Sequence, residues 1–105
     1  MTLAELQKMI LVQAKEKGFG TKPGEINVGE KMALIHAEVS EAFEAYRKNN
    51  LDGKDGFKEE LGDVLQRVLH LCGVFEIDIE KEISKKIAEN KDRKWDWEKL
   101  NETHS

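Results

Sequence analysis

The sequence predicts an all-α domain of four helices, and three observations support this prediction. The 105 residues include a single proline, Pro23, so little interrupts long stretches rich in Ala, Leu, Glu and Lys, which favour helices. Apolar residues recur at intervals of three and four within these stretches. Runs that alternate apolar and polar residues between turns, as half-buried strands do, are absent from the sequence.

The elements follow in order along the chain. A first helix is expected over residues 3–17, with Thr2 as its cap, because Leu, Met and Ile recur there at helical intervals. Residues 18–27 form a loop dense in turn residues. A second helix is expected from residue 28 or 29 to residue 48.

Two further helices complete the chain. Asp55 is the expected cap of a third helix over about residues 56–75, after a short loop at residues 49–55. Asp78 is the expected cap of a fourth helix, from residue 79 to about residue 94. We expect one domain over residues 1–105, with a core at about residues 28–95 and a flexible C-terminal tail at about residues 98–105.

Composition limits the possible partners and the compartment. The net charge of −4 argues against a nucleic-acid polymer as partner, because such a partner requires a basic surface. A single cysteine, Cys72, excludes an intramolecular disulfide and is typical of a reducing compartment. No apolar run is long enough to span a membrane. The expectation is therefore a cytoplasmic protein with no membrane partner.

Two acidic pairs indicate the function. Glu38 and Glu41 form an E-x-x-E pair on the second predicted helix, and Glu60 and Asp63 form an E-x-x-D pair on the third. At about 100° per residue, Glu38 and Glu60 fall within the apolar faces of their helices, and the other two lie at the edges. Carboxylates held close together repel one another, and a bound cation relieves this repulsion. Oxygen ligands of this kind suit Mg²⁺ or Mn²⁺. The pattern predicts a divalent metal site between two antiparallel helices.

Other interpretations of the acidic pairs remain. One such pair alone is usually a solvated face of an amphipathic helix, and on that interpretation the protein is a non-catalytic helical interaction module. Two pairs that both enter an apolar face favour the metal site. A di-iron centre requires an E-x-x-H motif, and neither pair is followed by a histidine at that spacing.

The fourth predicted helix carries candidate phosphate ligands. Lys86, Asn90 and Arg93 fall on the same side as a row of isoleucines at positions 79, 83 and 87. An ammonium, an amide and a guanidinium on one face suit a polyphosphate. The alternative is that the long basic side chains extend into solvent and pair with acidic neighbours.

Several other residues are candidates near such a site. Arg67, one turn after Asp63, is expected to pair with a carboxylate across the site or across a dimer. A structural role is expected for His70. Phe19, Lys22 and Asn27 lie in the long loop before the acidic motif, where a base could be recognised. Trp95 is expected to pack against the helices rather than to stack on a base.

Three segments in order carry a family resemblance. They are Glu38-Val-Ser-Glu41 with the Ala-Phe-Glu-Ala-Tyr-Arg that follows, then Glu59-Glu60-Leu-Gly-Asp63-Val-Leu, then residues 86–95 with the spacing K-x-x-x-N-x-x-R. Over roughly residues 28–95 the chain resembles the MazG-like all-α nucleotide pyrophosphohydrolases. One departure is Ala37, which stands where the family motif has the first of two glutamates.

The resemblance implies a fold, an activity and an assembly. It implies a four-helix, MazG-like bundle completed by dimerisation, as a homodimer or a dimer of dimers. The implied reaction is Mg²⁺-dependent hydrolysis of a nucleoside triphosphate to the monophosphate and pyrophosphate, in nucleotide-pool control. Hydrolysis of phosphoribosyl-ATP is the enzymatic alternative within the same fold group.

The resemblance also implies roles for particular residues. The metal ligands would be Glu38, Glu41, Glu60 and Asp63, and the catalytic residues would be Glu41, as the candidate general base, and Glu38. The substrate ligands would be Lys86, Asn90 and Arg93.

Overall fold

A computed structural model describes residues 1–93 and shows four helices. They are α1 (Leu3–Lys17), α2 (Val28–Arg47), α3 (Phe57–Val74) and α4 (Ile79–Asp92), with a short 3-10 turn at Pro23–Glu25. No strand occurs within the described residues, so the all-α prediction is confirmed. Trp95 and the predicted C-terminal tail lie outside the described part of the chain.

Local hydrogen bonds set most helix starts. The Thr2 hydroxyl accepts a hydrogen bond from the Glu5 N–H, and the Glu5 carboxylate accepts one from the Thr2 N–H, which forms a capping box on α1. The Asp78 carboxylate accepts from the Lys81 N–H at the start of α4. Both caps match the sequence-based prediction. Asn27 caps α2 in the same way.

The predicted cap of α3 is wrong. Gly56 occupies the cap position, and no side chain bonds to the first turn there. Asp55 has a φ of 56°, whereas a capping residue has extended backbone. Its backbone N–H instead donates to the Glu59 carboxylate, which holds the turn against the start of the helix.

Helix α3 lies at the centre of the fold. Its most extensive contacts are with α2, α1 packs on it from another side, and α4 contacts α1. The short connection makes α2 and α3 antiparallel and is fastened by a bond of 2.9 Å from the Phe57 N–H to the Asn50 carbonyl. Where α1 approaches α3, a Cβ atom added at Gly73 would lie 2.7 Å from Cγ of Leu11. Glycine therefore permits this close approach.

The buried core is small, and much of the predicted apolar surface is exposed. Buried apolar residues include Ala42 and Ala45 of α2, but Phe43 is 61% exposed and Leu65 of α3 is also 61% exposed. The isoleucine row of α4, expected to face inward, is largely uncovered, and Ile87 is 64% exposed. The reason is geometric, since residues 1–93 place no helix over these faces.

An apolar groove of about 940 Å³ runs between α1, α3 and α4. None of the four predicted metal ligands lines it. The helices of residues 1–93 include none that combines the length and the hydropathy needed to cross a bilayer.

Candidate metal centre and adjoining cleft

Three of the four predicted metal ligands converge in the structure. Glu38 of α2 and Glu60 and Asp63 of α3 each offer a carboxylate oxygen, and these oxygens all lie within 4.8 Å of one another. We call these three residues the acidic cluster. Glu60 is 6% exposed, Glu38 is half-buried and Asp63 is exposed, so the cluster runs from the interior to the surface. The spacing of three residues on α3 and the antiparallel packing of α2 create this convergence.

With both glutamates ionised, two oxygens in the acidic cluster have no hydrogen-bond partner. They are Oε2 of Glu38 and Oε2 of Glu60, both inaccessible to solvent. Buried polar atoms are nearly always satisfied in folded proteins. The three carboxylates of the cluster have oxygens within 4.8 Å of one another, and two of these carboxylates have unused lone pairs. Such a set of oxygen donors suits a hard divalent cation. The residues therefore fit a metal ion.

The proton affinity of Glu60 is strongly perturbed. A protonated Glu60 would donate a hydrogen bond to the neighbouring Glu38 carboxylate, and this bond, with burial and the negative charges of Glu38 and Glu41, raises the pKa of Glu60 to about 7. A bound divalent cation would remove this repulsion and favour the ionised form.

The fourth predicted ligand, Glu41, lies at the margin of the acidic cluster. It is exposed on α2, one turn after Glu38, and is not among the three residues whose oxygens converge. Its negative charge nevertheless contributes to the raised pKa of Glu60, which places it near the acidic cluster. Its roles as ligand and general base stay predictions.

Arg67 forms the ion pair expected from its position. Its Nε donates to Oε1 of Glu38 at 3.1 Å, which links α3 to α2 beside the acidic cluster. The pair occupies Oε1 and leaves Oε2 of Glu38 as the unpartnered oxygen. The bond therefore fixes the carboxylate in an orientation that keeps one oxygen available.

The predicted phosphate ligands lie elsewhere in the single chain. Lys86, Asn90 and Arg93 are exposed at the C-terminal part of α4, which packs against α1. Lys86 pairs with Glu89 at 3.2 Å, as in the alternative interpretation of this helix. None of the three lines the cleft beside the acidic cluster. Their role in substrate binding stays a prediction.

A cleft of about 400 Å³ opens next to the acidic cluster. We call it the acidic-site cleft. Helices α1, α2 and α3 and the loop after α1 form its walls, which are lined by Ile10, Gln13, Ala14, Phe19, Lys31, Leu34, Glu38, Asp63, Gln66, Arg67 and His70.

Two polar contacts shape this cleft. His70 Nε2 and the Gly20 carbonyl are 2.8 Å apart, which ties the loop carrying Phe19 to α3. Gln66 Nε2 donates to Gln13 Oε1 at 3.3 Å and ties α3 to α1. The structural role expected for His70 is thus observed, and it also brings Phe19 to the site.

Sequence reasoning missed Lys31 and the glutamine pair. Lys31 lies two helical turns before Glu38 on the same face of α2, and this spacing was the available signal. The glutamine pair joins residues far apart in sequence, and no local pattern reveals it.

Comparison with known families shows what the chain is similar to. The sequence profile described as the MazG nucleotide pyrophosphohydrolase domain matches residues 29–95, more than half of the chain. This range contains the acidic cluster, Glu41 and Arg67. No curated protein and no solved structure matches the chain. With the acidic cluster at the centre of the matched range, the chain belongs to the MazG nucleotide pyrophosphohydrolase domain family.

Proposed function

We propose that the protein is a divalent-metal-dependent nucleoside triphosphate pyrophosphohydrolase that converts a ribo- or deoxynucleotide to its monophosphate and pyrophosphate. Family membership supports nucleotide pyrophosphohydrolase activity in general. The observation that carries the finer proposal is the acidic cluster, with two unpartnered buried oxygens, at the edge of a cleft large enough for part of a nucleotide. A role in nucleotide-pool control in the cytoplasm is part of this proposal.

Residues of this chain would bind the metal ion, accept the proton and orient a metal ligand. Glu38, Glu60 and Asp63, with Glu41, would hold Mg²⁺ or Mn²⁺. When bound, such an ion neutralises phosphate charge and lowers the pKa of a water molecule. Glu41 is exposed beside the cluster and would accept the proton of the attacking water. Arg67 holds Glu38 in its ligating orientation through the bond to Oε1.

The nucleoside would occupy the acidic-site cleft. Its apolar wall includes Ile10, Ala14 and Leu34, and Phe19 stands at its edge with 55% of its surface exposed. An exposed aromatic ring held beside a cleft suits stacking on a base, worth about 1–3 kcal/mol. The bond between His70 and Gly20 keeps this ring in position.

The exposed apolar faces support assembly as a homodimer or a dimer of dimers. Exposed rings and aliphatic side chains lie on α2, α3 and α4, and the large apolar groove adds to them. In such an assembly Lys86, Asn90 and Arg93 would bind phosphate groups. Light scattering on the full chain is expected to give a mass of two copies or more, and a monomer at about 10 µM would contradict this.

A nucleotide panel tests the proposed activity. Ribo- and deoxynucleoside triphosphates and phosphoribosyl-ATP are incubated with the protein and Mg²⁺, and pyrophosphate release is measured. We expect release from at least one nucleoside triphosphate and its loss when EDTA removes the ion. Release from phosphoribosyl-ATP alone would identify the alternative substrate. Absence of release from all of them would leave the non-catalytic interaction module.

A further inference from the structure

We propose that Arg67 and Lys31, on two helices that line the acidic-site cleft, bind the phosphate group of the nucleotide that adjoins the nucleoside. This inference rests on the proposed function. It concerns a phosphate contact made within one chain, separate from the residues of α4.

Arg67 has two unused hydrogen-bond donors in the wall of the acidic-site cleft. It lies one turn after Asp63, and its single side-chain hydrogen bond within residues 1–93 uses Nε, directed at Glu38. The two terminal nitrogens of the guanidinium have no hydrogen-bond partner in that part of the chain, and the side chain is 39% exposed in the wall of the cleft. A guanidinium with two free nitrogens matches the geometry of a phosphate group.

Lys31 supplies a second cation from the facing helix. It is half-buried in α2 and lines the same cleft as Arg67. Within residues 1–93 it forms no ion pair or side-chain hydrogen bond, unlike the exposed Lys48, which pairs with Glu44 at 3.6 Å. Its ammonium group is therefore available to an anion from outside the chain.

The order of groups along the cleft agrees with the order of groups in a nucleotide. Because α2 and α3 are antiparallel, Lys31 and His70, each two turns from the acidic cluster, lie to the same side of it. Arg67 comes first after the acidic cluster, and the loop with Phe19, tied to His70, comes last. A phosphate next to the nucleoside would lie between the acidic cluster and Phe19, within reach of both cations.

A competing explanation assigns Arg67 only the task of offsetting the carboxylates' negative charge. The two explanations differ in what removal of the side chain does. Loss of a purely compensating cation would strengthen Mn²⁺ binding and leave phosphate binding unchanged. Loss of a phosphate ligand would weaken nucleotide binding even when the divalent cation saturates the acidic cluster.

Calorimetry on the full chain separates these cases. Deoxy- and ribonucleoside monophosphates and the corresponding nucleosides are titrated in Mg²⁺ into the wild type, Arg67→Met, Lys31→Met and Lys48→Met. The last is the matched control, since it removes an exposed cation paired with Glu44. In the first two variants we expect the monophosphate to bind about tenfold more weakly, with nucleoside binding unchanged. The control should resemble the wild type.

A further variant, Arg67→Lys, and a Mn²⁺ titration of Arg67→Met complete the test. Arg67→Lys keeps the charge but not the planar fork and should recover only part of the affinity. Equal monophosphate affinity in the wild type and both cleft variants would overturn the proposal, as would a loss of monophosphate affinity in Arg67→Met that disappears at saturating Mn²⁺. If the wild type releases pyrophosphate but these variants bind normally, only the phosphate assignment is wrong. If the wild type releases none, the proposed function itself is wrong.

Discussion

Glu60→Gln is expected to lower kcat/KM for pyrophosphate release by about 100-fold or more, because loss of a ligand should exceed the effect of losing a residue that only supports one. The side chain is buried, and one of its oxygens has no partner. An amide fills the same space without the negative charge that a divalent cation requires. Pyrophosphate release at saturating Mg²⁺ measures the effect.

The same variant should remain folded. Repulsion from Glu38 and Glu41 is part of what raises the pKa of Glu60 to about 7, and the neutral amide removes that repulsion. In EDTA above about pH 7, Glu60→Gln is therefore expected to melt at the same temperature as the wild type or higher. Thermal denaturation followed by circular dichroism provides the check.

Glu44→Gln is the matched control. Glu44 is exposed on α2 and pairs with Arg47 at 3.3 Å, away from the acidic cluster. Its variant should keep normal activity, because Glu44 is not part of the acidic cluster. It should also keep normal stability, since exposed ion pairs contribute little to stability. A Glu60→Gln protein that is unfolded in EDTA would show that Glu60 is structural. Full activity in that variant would contradict the metal site.

Mn²⁺ is expected to stabilise the wild type by about 2.7 kcal/mol when present at 100 times its dissociation constant, because an ion that binds only the folded state shifts unfolding by mass action. At a fixed Mn²⁺ concentration this stabilisation should grow with pH. Metal binding requires ionised carboxylates, and Glu60, with its pKa of about 7, must release a proton to become a ligand.

Without metal the pH dependence has the opposite sign. The folded state binds the Glu60 proton more tightly than the unfolded state, since the pKa rises from 4.5 to about 7 on folding. The stability that this group contributes is fully present below about pH 4.5 and is lost as the pH rises towards about 7. In EDTA the wild type should therefore lose more stability than Glu60→Gln between about pH 5 and about pH 8.

Melting temperatures measured with and without Mn²⁺ at both ends of this range test the two signs together. A Mn²⁺-induced rise that is equal in wild type and Glu60→Gln would place the ion elsewhere. Parallel pH profiles of the two proteins in EDTA would contradict the perturbed proton affinity.

Local signals in the sequence predicted a large part of the fold. Thr2 and Asp78 were identifiable as caps because their residue types favour that position before a helix. In the structure each accepts a hydrogen bond from the backbone N–H three residues later. Asp55 was misassigned because its role depends on a left-handed backbone conformation, which residue type alone does not determine. The burial of Glu60 followed from helical periodicity, which locates a residue within an apolar face.

The features of the fold and the site that the sequence did not predict depend on contacts between segments that are distant in sequence. Periodicity identified the isoleucine row of α4 but could not reveal that Ile83 and Ile87 stay largely exposed within residues 1–93. The cleft depends on the bond between His70 and Gly20, fifty residues apart, which no pattern within one helix encodes. Arg67 was easier to place, because its distance of one turn from Asp63 fixes its side of α3.

The contact between Gly73 and Leu11 has a consequence for variation in this chain. The missing Cβ leaves a space that the leucine side chain fills, so the two positions share one volume. Enlarging position 73 requires a smaller residue at position 11, and neither site can be redesigned independently of the other.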